Sequence, residues 1–151
     1  LAYDQCAVYT QNDRRKKMNE IYIVIPGEPY RKTHQSGTHI GRGRTYKDAQ
    51  LREVESRLMD ALRPHAPAAP WNGPVQLAVN FGYQTKRADQ DGEPKITKPD
   101  TDNLMKTLKD CMTACGFWWD DAQVTEEYGS KFWCLRPHIA IVVTKIGEAI
   151  V

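Results

Sequence analysis

The hydrophobic period of this chain changes along its length, and that change constrains the fold more than any other property. From Val75 to Phe81, apolar Val75, Leu77, Val79 and Phe81 alternate with Gln76, Ala78 and Asn80, the pattern of a strand with one buried face. From Leu104 the spacing turns helical. Leu104, Leu108, Cys111, Met112 and Cys115 fall on one stripe, and Gly116 supplies the stop. A two-residue period returns at Ile139, Ile141 and Val143. A helix enclosed between strands calls for a layered domain with helices against a sheet.

The remaining elements extend that plan. Ile21-Tyr22-Ile23-Val24-Ile25 is β-branched and aromatic and is stopped by Pro26-Gly27, so it reads as a largely buried strand. From Asp48 to Leu62 a stripe of Leu51, Val54, Leu58, Ala61 and Leu62 predicts a helix, ended by Arg63-Pro64. Polar residues 85–99 contain Asp91-Gly92, a turn or small hairpin signal. Val124 to Trp133 reads as a strand weakened by Gly129, and Leu135-Arg136-Pro137 as a turn. The expected order is β-α-β-α-β-β. That is an α/β (α+β) fold, a single small domain with one mixed sheet flanked by helices. Residues 1–17 lack either period, and Met18 directly precedes the first strand. They read as an appended or poorly ordered tail before a domain of residues 18–151.

Net charge is only +2, so bulk charge does not announce a nucleic-acid partner, but its distribution is uneven. Arg31, Lys32, Arg42, Arg44 and Lys47 occur with His34 and His39 and no acid, interspersed with Gly37, Gly41 and Gly43. This segment reads as a flexible basic loop, either plain solvated surface or a phosphate contact. The four cysteines, Cys6, Cys111, Cys115 and Cys134, include no CxxC pair. Zinc is therefore disfavoured, and buried reduced thiols suit a cytoplasmic protein. No apolar run approaches the roughly 20 residues of a membrane span.

Two acidic groups carry the chemistry. Asp100 and Asp102 stand at the start of the second helix, with Lys106 one turn on, and Asp120-Asp121 follow Phe117-Trp118-Trp119. Hard divalent cations bind carboxylate oxygens, and two-metal phosphodiester chemistry uses such clusters. A helix start also attracts aspartate simply as a cap, and Asn103 can bond backbone there. For Asp120-Asp121 the competing reading is a solvated turn. Buried aromatics before the pair would instead hold it at the core edge, where a cation must compensate the crowded charge. Lys106 either pairs with Asp102 along the helix or meets a scissile phosphate.

Lys98-Pro99-Asp100-Thr101-Asp102-Asn103-Leu104-Met105-Lys106, with Gly116-Phe117-Trp118-Trp119-Asp120-Asp121-Ala122-Gln123-Val124, closely resembles the acidic motifs of the RusA-type Holliday junction resolvases of bacteria and phages. Ile23-Val24-Ile25-Pro26-Gly27-Glu28-Pro29, Lys32 and the loop ending Arg44-Thr45-Tyr46 support the likeness, which spans residues 18–145. The resemblance implies a homodimeric, Mg²⁺-dependent endodeoxyribonuclease, with Mn²⁺ a possible substitute, that nicks opposed strands of a four-way junction in DNA recombination and repair. It puts the metal on Asp100, Asp102 and Asp121, the essential lysine on Lys106 and a secondary acid on Asp120. DNA contacts fall to Lys32, Arg42, Arg44 and Lys98. Some family members carry arginine immediately before the first aspartate; Pro99 stands there in this chain, and the contact passes to Lys98. Two alternatives stay open: a less restricted branched-DNA nuclease, and a non-catalytic DNA-binding protein whose aspartates only cap helices.

Overall fold

A computed structural model describes residues 19–148 of the chain; the expected tail of residues 1–17 and Met18 lie outside them. Strand β1 (Glu20–Pro26) is followed by a one-turn helix α1 (His34–Gly37) and a hairpin of β2 (Thr38–Gly41) and β3 (Arg44–Lys47). Then come α2 (Ala49–Leu62), β4 (Val75–Gln84), α3 (Thr101–Ala114), β5 (Val124–Cys134) and β6 (His138–Lys145). Single 3-10 turns occupy Arg63–His65, Ala88–Gln90 and Asp121–Gln123.

The main sheet runs β1-β6-β4-β5. β6 is antiparallel to both β1 and β4, while β4 and β5 are parallel, so the sheet is mixed as expected. Only a parallel pair needs a crossover, and α3 lies on the one joining β4 to β5. Both acidic motifs therefore lie on a single connection. Residues 75, 77, 79, 81 and 83 of β4, with Ile139, Ile141 and Val143 of β6, pack in one cluster with Leu58, Leu62, Leu104, Leu108 and Met112. Both long helices thus cover the same face. Leu104 and Leu108 are fully buried, and truncating either to alanine should cost about 2–5 kcal/mol.

Three expectations need correction. β1 is not largely buried: it is an edge strand in which Ile23 is buried while Tyr22 and Val24 are exposed. The basic segment is not a flexible loop. Its backbone pairs as α1 and the β2-β3 hairpin, turned at Arg42-Gly43, where both residues have positive φ (51° and 72°), the conformation a two-residue hairpin turn demands. Asp91-Gly92 forms the expected turn, without a hairpin of its own. The chain after it runs along β5, with Gly92 N–H donating to the Trp133 carbonyl and Lys95 N–H to that of Lys131. Third, β5 runs unbroken through Gly129. A Cβ there would stand 3.1 Å from Met105 Cγ, so the glycine lets β5 approach the first turns of α3.

Of the described thiols, Cys111 and Cys134 are buried as expected, while Cys115 is half-buried. Cys111, Cys115 and Cys134 are free, and burial pushes the Cys111 thiol up to about 12. No helix among the described residues is long and apolar enough to cross a membrane.

Candidate active site

Asp100 sits at the N-cap position of α3 with extended backbone, yet its side chain makes no capping hydrogen bond. Only its carbonyl serves the helix, accepting from Leu104 N–H at 3.1 Å. Asp102, in the first turn, accepts from Asn103 N–H at 2.9 Å through Oδ1. Both carboxylates are exposed. Asn103 does not bond backbone through its side chain; its Nδ2 donates to Gln35 Oε1 at 2.6 Å, which ties α3 to α1. Beside this contact opens a cleft of about 190 Å³ lined by Arg31, Thr33, Gln35, Lys98, Asp100 and Asn103. Arg31 is steadied by Glu28 at 2.9 Å and by the Tyr83 ring, 5.0 Å from its guanidinium carbon. The cleft thus joins two cations, one carboxylate and the N-terminal end of a helix, and its cations and helix end suit a phosphate.

The second acidic group is built differently. Phe117 and Trp118 are buried as expected, but Trp119 is 69% exposed; the aromatic anchor is therefore two residues, not three. Asp120 caps the 3-10 turn through Ala122 N–H at 2.8 Å. Gln123 holds the rest. Its Oε1 accepts from the backbone N–H of Trp119 and Asp120 at 2.9 and 3.1 Å, and its Nε2 donates to the carbonyls of Trp71 and Gly73. Asp121 is left to face α3.

Lys106 ties α3 to the second group and does not pair with Asp102. Its ammonium donates to Asp110 Oδ1 at 2.9 Å and Asp121 Oδ2 at 3.1 Å. These bonds, Asp110 first, push it above the usual lysine range, and Lys106 in turn draws the Asp121 carboxyl below the usual carboxylate range. The cation compensating Asp121 in the described chain is therefore a lysine. Asp102, Lys106 and Asp110 recur every four residues along one side of α3. Asp110 was not anticipated, although its i+4 spacing from Lys106 was readable. Among the described residues, no group of three or more His, Cys, Asp or Glu side chains stands ready to hold a metal ion.

The expected DNA contacts separate. Arg42 and Arg44 are exposed on the hairpin and Lys98 lines the cleft. Lys32 is bound to Asp48 at 2.8 Å, a carboxylate that also meets His39 at 3.0 Å and caps α2 through Leu51 N–H. Arg31 entered the sequence reading only as part of a charge run; its place in the cleft depends on the tertiary fold.

Comparison with known proteins places these motifs in a family. The family model described as Endodeoxyribonuclease RusA matches residues 26–144. A crossover junction endodeoxyribonuclease of Lactococcus phage r1t is 35% identical over 75 residues, covering 50% of this chain and 57% of that protein. Proteins of the same name from Enterobacteria phage 82 and Escherichia coli (strain K12) are 28% and 27% identical over 114 residues, 72% of this chain and 80% of each relative. With the family model spanning both acidic motifs, β4, β5 and all of β6 but its last residue, the chain belongs to the RusA endodeoxyribonuclease family.

Proposed function

We propose that the chain, through residues 18–151, is a Mg²⁺-dependent, structure-specific endodeoxyribonuclease that resolves four-way DNA junctions as a homodimer with paired nicks, acting in the cytoplasm. The observation that carries this reading is Asp100: a carboxylate at a helix start that does no capping and opens on a cationic cleft. A Mg²⁺ ion needs only one or two carboxylates, completing its shell with water and substrate phosphate. Asp100 and Asp102 meet that requirement, and Asp121 would add the third ligand. Mn²⁺ should substitute. Once bound, the ion would stabilise charge on the attacking and leaving oxygens of the phosphodiester.

The chain's own residues do the rest. Lys98 and Arg31 would grip the phosphate at the cleft, Arg31 supplying the guanidinium that the residue before Asp100 does not. Lys106, charged throughout the neutral range, would stabilise negative charge as the bond breaks. Arg42 and Arg44, carried out on the hairpin, would neutralise phosphates further along an arm. Each subunit cuts one strand, so resolution needs two sites related by a twofold axis.

A labelled synthetic junction incubated with the full chain should be nicked on opposed strands in Mg²⁺, and bound without cutting when Mg²⁺ is removed. Lys106→Ala should lower single-turnover cleavage far more than junction affinity. Equal cutting of flaps, forks and junctions would favour a less restricted branched-DNA nuclease. Binding with no nick at any Mg²⁺ concentration would make the chain a non-catalytic DNA-binding protein.

A further inference from the structure

Two lysines outside the acidic motifs converge on the backbone that delivers Asp100. Lys95 is only 2% exposed. Its ammonium lies 4.9 Å from the centre of the Tyr83 ring and 5.2 Å from that of Trp133, within cation–π reach. It donates to the Thr97 carbonyl at 2.9 Å, to Thr97 Oγ1 at 2.8 Å and to the Lys98 carbonyl. An ammonium has three donors, and these bonds use all of them on neutral acceptors. Lys131 on β5 donates to the same Thr97 carbonyl at 2.6 Å and to the Pro99 carbonyl at 2.8 Å. With the Asp100 carbonyl taken by Leu104 N–H, four consecutive carbonyls, Thr97 to Asp100, each have a donor.

We infer that Lys95 and Lys131 are positioning residues that pin the strap from Thr97 to Pro99 and thereby aim the Asp100 carboxylate into the cleft, an inference that rests on the reading of Asp100 as a metal ligand. Burying an ammonium without a carboxylate partner is unfavourable, and burial, with Lys131 and Arg31 nearby, pulls the Lys95 ammonium below the usual lysine range. A neutral side chain would avoid that penalty, but it could not hold two successive carbonyls and a hydroxyl from one atom. The strap is short, so a small rotation at Lys98 or Pro99 would swing the Asp100 side chain out of the cleft.

The test uses the full chain with Lys131→Met, which removes both strap bonds, Lys131→Arg, which keeps the donors, and Lys95→Met. Mn²⁺ binding without DNA is followed by electron paramagnetic resonance, and single-turnover nicking of a synthetic junction is measured against Mg²⁺ concentration. Junction affinity in Ca²⁺ and the thermal midpoint are recorded alongside. Lys131→Met should raise both the Mn²⁺ Kd and the half-saturating Mg²⁺ by roughly 10–100-fold, the usual loss when a group supporting a metal ligand is removed. Junction affinity should hold, and Lys131→Arg should restore the metal response. If Lys95→Met fails to fold, Lys131→Met decides alone. A folded Lys131→Met with wild-type metal response overturns the inference, and so does one that loses junction affinity alone, since that would make Lys131 a DNA contact. A wild-type chain that binds Mn²⁺ without nicking would end the nuclease reading while the Mn²⁺ isotherms still decide the strap. One that does neither overturns both.

Discussion

Among the described residues three aspartates stand at N-cap positions, and they are not alike. Asp48 accepts from Leu51 N–H and Asp120 from Ala122 N–H, so each spends its carboxylate on starting a helical turn. Asp100 has the same place and the same extended backbone, but its side chain makes no cap bond. The contrast teaches that a carboxylate's position at a helix start does not decide its role; what its oxygens already hold does. At the second motif the division falls within one dipeptide, because Asp120 builds the turn and leaves Asp121 to face Lys106.

Exchanging the charge at the two kinds of position probes this contrast most directly. Asp100→Asn should lower single-turnover cleavage by on the order of 10²–10³-fold, as expected when a group that stabilises transition-state charge is lost. The thermal midpoint should stay put, because no cap bond is lost. Cleavage at the wild-type rate would place Asp100 with its capping counterparts. Asp120→Ala should do the reverse, costing about 1 kcal/mol in a urea melt, the usual loss for a helix cap, while a folded sample still nicks junctions at a similar rate. Abolished cleavage with unchanged stability would erase the distinction.

A smaller effect sharpens the capping side. The Lys32 ammonium, the Leu51 N–H and His39 hold the Asp48 carboxyl well below its usual range. An unfolded chain therefore takes up this proton at a higher pH than the native one. The resulting stability is complete above about pH 4, near the unperturbed aspartate value, and is lost as pH falls through the depressed native value. Urea midpoints measured from pH 5 to pH 2 should fall less steeply for Asp48→Asn than for wild type. Lys32→Ala should act in the same direction, and its junction affinity should change less than that of an Arg42→Ala, Arg44→Ala double variant. The opposite ranking would return Lys32 to the DNA contacts.

The strands and long helices were legible because their signal is periodic: alternating residues at Val75–Phe81, the stripe from Leu104 to Met112. α1 and the β2-β3 hairpin were not, since backbone pairing and a positive-φ turn at Arg42-Gly43 hold them without an apolar pattern. Edge position misled the reading of β1, where composition alone suggested burial. At the candidate site the motifs drew attention to Asp100, Asp102 and Asp121, but neither Asp110 nor the hydrogen-bond partners stood out. Asp102 was a reasonable helical partner for Lys106, but the ammonium reaches Asp121, fifteen residues on and brought near only by the crossover. Lys95 and Lys131 gave no signal at all, because a lysine that binds carbonyls reads the same as one in solvent.

The strand order has a consequence for the chain as it leaves the ribosome. β6, the last strand among the described residues, lies between β1, the first of them, and β4. Until residues 138–145 emerge, β1 has no neighbour in the main sheet and the edge of β4 that β6 will take stays open. Both acidic motifs have been synthesised by then. A nascent chain stopped before β6 would therefore hold every carboxylate of the candidate site without the complete sheet behind α3, and nuclease competence would have to wait for β6.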